Sequence, residues 1–225
     1  MRELSLFTGA GGGILGSKLL GWKTVGYVEW EPYCQRVISQ RIKDGIFDNA
    51  PIFGDIRAFN GERYAEKYKG MVDIITGGFP CQPFSVAGKR LGADDQRNMW
   101  PETIRAIRTI RPKYALLENV PGLLRSGYFG TITGDLAQSG YGYRYDLFSG
   151  YEVGAPIPRK RLFMFCFDTK SDKKFREYTK PEMYSESTNE ISFWSNSLFT
   201  ALLDLCKSQV PVTSGNERIF DGVAD

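Results

Sequence analysis

The chain has 225 residues, 42% hydrophobic and 24% charged, enough for one large domain or a domain plus a small appendage. It contains no histidine, so Ser-His-Asp and Cys-His machinery are excluded, and any general acid or base is a carboxylate, Lys, Arg, Tyr or water. The net charge of +3 permits nucleic-acid binding without demanding it, and four scattered cysteines with no C-x-x-C pair argue against a zinc cluster or a disulfide framework.

No apolar run approaches the length of a membrane span. The N-terminus lacks a signal-peptide pattern and runs straight into a strand, so a cytoplasmic protein with no membrane and no metal is expected. Residues 3–8 read as that strand. Gly9-Ala10-Gly11-Gly12-Gly13 follows at once, and an apolar helical pattern runs from Ile14 to Leu20 before Gly21 stops it. Strand, glycine turn, helix is the layout of a nucleotide-type cofactor site, because glycine lets backbone approach a ligand at a helix N-terminus. The dinucleotide fingerprint fits only loosely; Phe-x-Gly-x-Gly-Gly is closer to the loop of an adenosylmethionine-dependent methyltransferase.

A second strand, Thr24–Val28, ends in Glu29-Trp30-Glu31. An acid at that point commonly holds ribose hydroxyls. Trp30 offers either a flat face for a base or ordinary core packing. A helix follows through Tyr33, Val37 and Ile38, then a short apolar piece, Pro51-Ile52-Phe53, and Gly54-Asp55-Ile56. Asp55 either accepts a hydrogen bond from an exocyclic amine or caps a helix.

Val72–Thr76 reads as a buried strand leading into Gly77-Gly78-Phe79-Pro80-Cys81-Gln82-Pro83-Phe84-Ser85. The glycines let the chain leave the strand sharply, and two prolines stiffen the loop around one thiol. A cysteine alone is more often a small buried hydrophobe, but this setting suits a nucleophile. The polar stretch 86–97 is expected to form a loop beside it. Residues 99–110 form an amphipathic helix stopped by Pro112, and Tyr114–Val120 is a buried strand carrying Glu118 near its end. A carboxylate there is costly without a partner or a task. A helix over about 129–139 and strands at 141–148 and 161–167 complete the alternation, with Pro158-Arg159-Lys160-Arg161 as a basic cluster that is either a solvated turn or a nucleic-acid contact. Strands alternating with helices imply an open, mostly parallel α/β sheet with helices on both faces. The composition changes near 168: residues 168–189 are polar and without period, residues 191–206 look like an amphipathic helix, and the tail is irregular.

Six landmarks in this order resemble the DNA cytosine carbon-5 methyltransferases: Phe7-x-Gly9-x-Gly11-Gly12, Glu29-Trp30, Gly54-Asp55-Ile56, Gly78 to Ser85, Glu118-Asn119-Val120 and Arg159-x-Arg161. The resemblance covers about 3–167. It implies a Rossmann-like methyltransferase domain over 1–167 and a small, irregular, target-recognition-like region over 168–225. It further implies that Phe7, Gly9, Gly11, Glu29, Trp30, Asp55, Ile56 and Pro80 line a site for S-adenosylmethionine. Cys81 would add to carbon 6 of a flipped-out cytosine, Glu118 would steady ring nitrogen 3, and Arg161 would bind the ring carbonyl. Arg159 would hold Glu118 or a phosphate, and Ser85 and Arg97 would lie near the backbone of double-stranded DNA. Some relatives modify transfer RNA, so RNA is an alternative substrate. Restriction–modification and phage self-protection are both compatible settings.

The chain departs from the family pattern in three places. Ile157 stands where a glutamine is usual before the two arginines, the region after the basic cluster is short for reading base edges, and residues 218–225 resemble only the start of a late motif. The resemblance therefore implies an incomplete cofactor pocket, with a second polypeptide supplying the rest or with catalysis impaired.

Overall fold

A computed structural model describes residues 1–80 and 98–171. Its centre is a seven-stranded sheet in the order β3-β2-β1-β4-β5-β7-β6. The strands are β1 (Arg2–Leu6), β2 (Lys23–Val28), β3 (Ile52–Phe53), β4 (Ile74–Gly77), β5 (Tyr114–Asn119), β6 (Tyr141–Ser149) and β7 (Lys160–Asp168). β1 to β5 pair in parallel, and β7 runs antiparallel between β5 and β6. The open, mostly parallel α/β sheet expected from the alternation is the one observed.

The helices are α1 (Gly12–Leu19), α2 (Pro32–Lys43), α3 (Ile56–Gly61), α4 (Tyr64–Lys67), α5 (Trp100–Ile110) and α6 (Tyr128–Gln138). Neighbouring strand residues show that they cover both faces. In β2, Val28 joins the large cluster with residues of α3, α5 and α6, whereas Tyr27 joins Ile14 of α1 and Ile38 of α2. Successive side chains on a strand point to opposite faces, so the two clusters lie on opposite sides of the sheet. β4 is buried on both, with Ile74 and Ile75 at 0% exposure.

Local chemistry sets the helix ends. Pro32 opens α2, where Glu31 accepts from the Tyr33 N–H. α5 buries Ile104, Ile107 and Ile110 and ends at Arg111 in the left-handed region, with Pro112 next. α3 and α4 are too short to leave a periodic signal, and the cap reading of Asp55 is the one pointer to α3. Of the expected elements, the loop at 86–97 and the helix at 191–206 fall outside the described residues, as does all of the C-terminal region beyond Ser171. Among the described residues, no helix is long and apolar enough to cross a membrane, and no group of acidic or cysteine side chains is arranged to hold a metal.

Candidate active site

The site lies where β1, β2, β4 and β5 end together, as parallel register requires. β1 stops at Leu6 rather than continuing to Thr8, because Phe7 adopts φ 51°. Gly9 (φ 58°) and Gly11 (φ 91°) continue the reversal into α1. Positive φ at two of three positions is inexpensive only for glycine. Gly11 also lies against the ring of Phe47, which a Cβ there would overlap.

Glu29, just beyond β2 and only 8% exposed, organises this loop. Its Oε2 accepts from the Gly9 N–H at 2.6 Å and its Oε1 from the Glu31 N–H at 2.7 Å. The Gln35 side chain donates to the Glu29 carbonyl at 2.6 Å and fixes the turn from below. Each carboxylate oxygen keeps a lone pair for a further donor. Trp30 is 64% exposed, so core packing is not its role; the Arg57 guanidinium lies 5.6 Å from its ring centroid. Asp55 caps α3, accepting from the Arg57 N–H at 2.9 Å and from Arg57 Nε at 3.0 Å. Of its two readings the cap is the one seen, and it leaves room for a further donor. Ile56 is buried in the core directly behind it.

The chemical end of the site is built by β4 and β5 together. β4 opens into Gly77-Gly78-Phe79-Pro80, while Cys81 and everything to Arg97, including Ser85, lie outside the described residues. A Cβ on Gly77 would sit 3.1 Å from the Leu6 carbonyl, and one on Gly78 would sit 2.8 Å from Glu118 Oε2. The backbone approach that these glycines permit thus brings the loop against the Glu118 carboxylate. Asn119, next along β5, donates from Nδ2 to the Phe79 carbonyl at 3.1 Å. Phe79 is buried against Trp100, with ring centroids 5.4 Å apart. Glu118 is therefore held against Gly78, which precedes Cys81 by three positions in the sequence.

Glu118 Oε1 accepts from Arg161 Nε at 2.7 Å, the side chains being 37% and 24% exposed. Both side chains are thus partly exposed. Register explains the partner: Glu118 faces Phe163 and Asn119 faces Leu162, which brings Arg161 to the end of β5. Of the two roles expected for Arg159, the one at Glu118 is filled by Arg161. Arg159 lies before β7, exposed, with its carbonyl accepting from the Gly150 N–H, and it makes no ion pair among the described residues.

Asn119 stands within the Glu118 motif, but nothing in the sequence alone assigns it a role, and Glu3, Gln35 and Phe47 lie outside every motif. An acid near the start of an apolar strand was the available signal for Glu3.

An open sheet with its antiparallel hairpin at one edge, a glycine turn after β1 and an acid after β2 define a Rossmann-like fold of the kind found in methyltransferases. Solved structures agree on the fold. A Spodoptera frugiperda DNMT2 mutant superposes with a TM-score of 0.62 at 23% identity, over 83% of this chain and 53% of that one. The Dnmt2 methyltransferase of S. pombe gives 0.59 at 19%, over 85% and 58%. The chain belongs to the C-5 cytosine-specific DNA methylase family, whose model matches residues 1–214. It is 34% identical over 193 residues to the type II methyltransferase M.NgoMIV of Neisseria gonorrhoeae, covering 84% of this chain and 58% of that protein. The same identity and length relate it to M.HaeII of Haemophilus aegyptius, over 84% and 56%. The chain thus spans a little over half the length of these relatives.

Proposed function

We propose that this chain transfers a methyl group from S-adenosylmethionine to carbon 5 of a cytosine in DNA, with Cys81 as nucleophile. The observation that carries the reading is the Glu118–Arg161 pair, with Glu118 lying against Gly78 just past the strand that leads to Cys81. Family membership supports the same chemistry.

The residues present suit the methyl donor. Phe7, Gly9 and Gly11 form a turn whose backbone a ligand can approach closely. Glu29 keeps lone pairs for ribose hydroxyls, Trp30 offers an exposed flat face, and Asp55 with Ile56 would receive the adenine edge, with Pro80 beside the cysteine closing the pocket. When bound, the donor supplies an electrophilic methyl group; the chain does the rest. The Cys81 thiolate would give its electron pair to carbon 6, the carbon 5–carbon 6 π pair would shift to the carbon 4–carbon 5 bond, and the carbon 4–nitrogen 3 π pair would pass to nitrogen 3, where Glu118 steadies a proton. Carbon 5 would then use the carbon 4–carbon 5 π pair to take the methyl group, with S-adenosylhomocysteine as the leaving group. Loss of its proton to solvent re-forms the double bond and expels Cys81. Arg161 holds Glu118 and reaches the ring carbonyl, while Arg159 is left to meet a phosphate. A stacked cytosine cannot enter such a site, so the base is flipped out, with Ser85 and Arg97 at the DNA backbone.

Bisulfite sequencing of DNA from cells expressing the chain tests this, with Cys81→Ser as the control. Methylated cytosines that vanish in the variant support it; equal signals in both sink it. The other reading from the sequence, an impaired relative or one that needs a second polypeptide, has no described feature in its favour. The Glu118–Arg161 pair is assembled within this one chain, and tight S-adenosylmethionine binding by the chain alone, measured by calorimetric titration, would refute it.

A further inference from the structure

Glu3 is fully buried in the first strand, and among the described residues no cation pairs with it. Three hydroxyls serve it instead. Ser17 Oγ donates to Oε1 at 2.8 Å and Thr76 Oγ1 to the same oxygen at 2.6 Å, while Thr24 Oγ1 reaches Oε2 at 3.1 Å. Each hydroxyl belongs to a different element: α1, β4 and β2. Those three elements carry the glycine turn, the strand leading to Cys81, and the strand ending at Glu29. The Thr24 N–H is itself fixed by Asp48 Oδ2 at 2.9 Å.

An apolar side chain would fill this space at lower cost, since burying a carboxylate is expensive even when it is hydrogen-bonded. Hydrogen bonds add direction. Packed apolar surfaces can slide by fractions of an ångström, whereas three hydroxyls converging on one carboxylate fix the shift and rotation of three elements at once. We propose that Glu3 is a positioning residue that locks the cofactor turn on α1 to the strand bearing the Cys81 loop. Its functional half rests on the assignment of Cys81 and the glycine turn under the proposed function. Glu3 touches neither substrate nor donor; it sets the distance between the sites that hold them. A misplacement of about 1 Å at reacting atoms can cost on the order of a hundredfold in rate, so such a lock matters to turnover more than to binding.

Hydrogen exchange on the free 225-residue chain tests the lock without reference to activity. Thr76→Val alters only β4, yet exchange of the α1 amides from Leu15 to Ser17 should quicken about fivefold, as expected for a change in local opening. Unchanged α1 protection overturns the proposal. Thr76→Ser keeps the hydroxyl and should restore protection, which separates the lock from simple loss of strand stability. For turnover, Thr76→Val and Ser17→Ala should each lower kcat about tenfold with KM for S-adenosylmethionine within about twofold, and the double variant should be no slower than the slower single. Losses that multiply, or a change confined to thermal stability, overturn it. A wild-type chain that neither methylates DNA nor forms a Cys81 adduct would instead refute the proposed function, while the exchange measurement still decides whether Glu3 couples the two elements.

Discussion

The side-chain amide of Asn119 donates to the main-chain carbonyl of Phe79 at 3.1 Å, across 40 residues of sequence, and so ties the end of β5 to the loop that begins at β4. Asn119 is 4% exposed, and its other polar atom accepts from the Val120 N–H at 2.8 Å. Both halves of the amide are used, and their geometry fixes where the Cys81 loop starts.

Asn119→Ala should therefore lower both stability and turnover. It orphans a buried carbonyl, at a cost of about 1–3 kcal/mol. Asn119→Asp should do worse, because a carboxylate oxygen would face the Phe79 carbonyl beside Glu118. Denaturant unfolding and single-turnover methylation read the two effects. Unaltered turnover in both variants would show that the loop is anchored elsewhere.

Glu118 and Arg161 can be separated by the reaction step each serves. Glu118→Gln keeps the shape but loses the charge, and should slow covalent adduct formation with 5-fluorocytosine DNA about 10²–10⁴-fold, the usual range for a lost acid–base group. Arg161→Lys should also slow it, because an ammonium does not reproduce the guanidinium contact made by Nε at 2.7 Å. Arg159→Ala leaves that pair intact and should weaken DNA binding with a smaller salt dependence, as for a lost phosphate contact. Adduct formation at the wild-type rate in Glu118→Gln would remove Glu118 from the mechanism.

Two glycines allow the donor side and the chemical side to be disabled independently. At Gly78 a new Cβ would stand 2.8 Å from Glu118 Oε2, so Gly78→Ala should push the carboxylate aside and slow adduct formation while sparing S-adenosylmethionine affinity. At Gly11 the residue sits at φ 91° against Phe47, so Gly11→Ala should do the reverse and weaken donor binding. Calorimetric titration and the adduct assay distinguish them. Equal losses in both assays for both variants would mean general unfolding rather than local effects.

Much of this arrangement was legible because it is periodic or carried by contiguous motifs. The longer strands stand out as apolar runs or, for β6, as an alternating pattern, and Gly9, Gly11, Glu29, Gly78 and Glu118 fall in short motifs at strand ends. What was not legible depends on register. The resemblance assigns Arg159 to Glu118 or a phosphate and Arg161 to the ring carbonyl, and only the pairing of β5 with β7 shows that Arg161 is the partner of Glu118. Glu3 looked like the first residue of an ordinary strand, because its partners Ser17, Thr24 and Thr76 lie up to 73 residues away. α4 spans four residues and β3 two, too few for a period to show. β1 ends two residues before the strand read over 3–8 does, because the backbone turns at Phe7 while the side chain still packs on the core.

Glu3 also predicts a pH dependence of stability. Burial is the largest cause that raises its carboxyl above the usual value of 4.5; the hydroxyls of Thr76, Ser17 and Thr24 oppose the shift without cancelling it. A carboxyl raised in the folded state holds its proton where the unfolded chain has lost it. Its favourable contribution is therefore complete below pH 4.5 and is lost as pH rises through the higher folded value. Asp73 works the other way. Burial would raise its carboxyl, but Arg2 outweighs this and lowers it, so its contribution is present above pH 3.8 and fades as pH falls through the lowered folded value. Comparing wild type with Glu3→Gln cancels Asp73 and leaves Glu3 alone. The stability difference, wild type minus variant, should fall steadily as pH is raised from 4.5 toward neutrality. Denaturant midpoints measured across that range give the sign directly, and a difference that rises with pH would mean that the hydroxyl cluster holds Glu3 ionised in the folded protein.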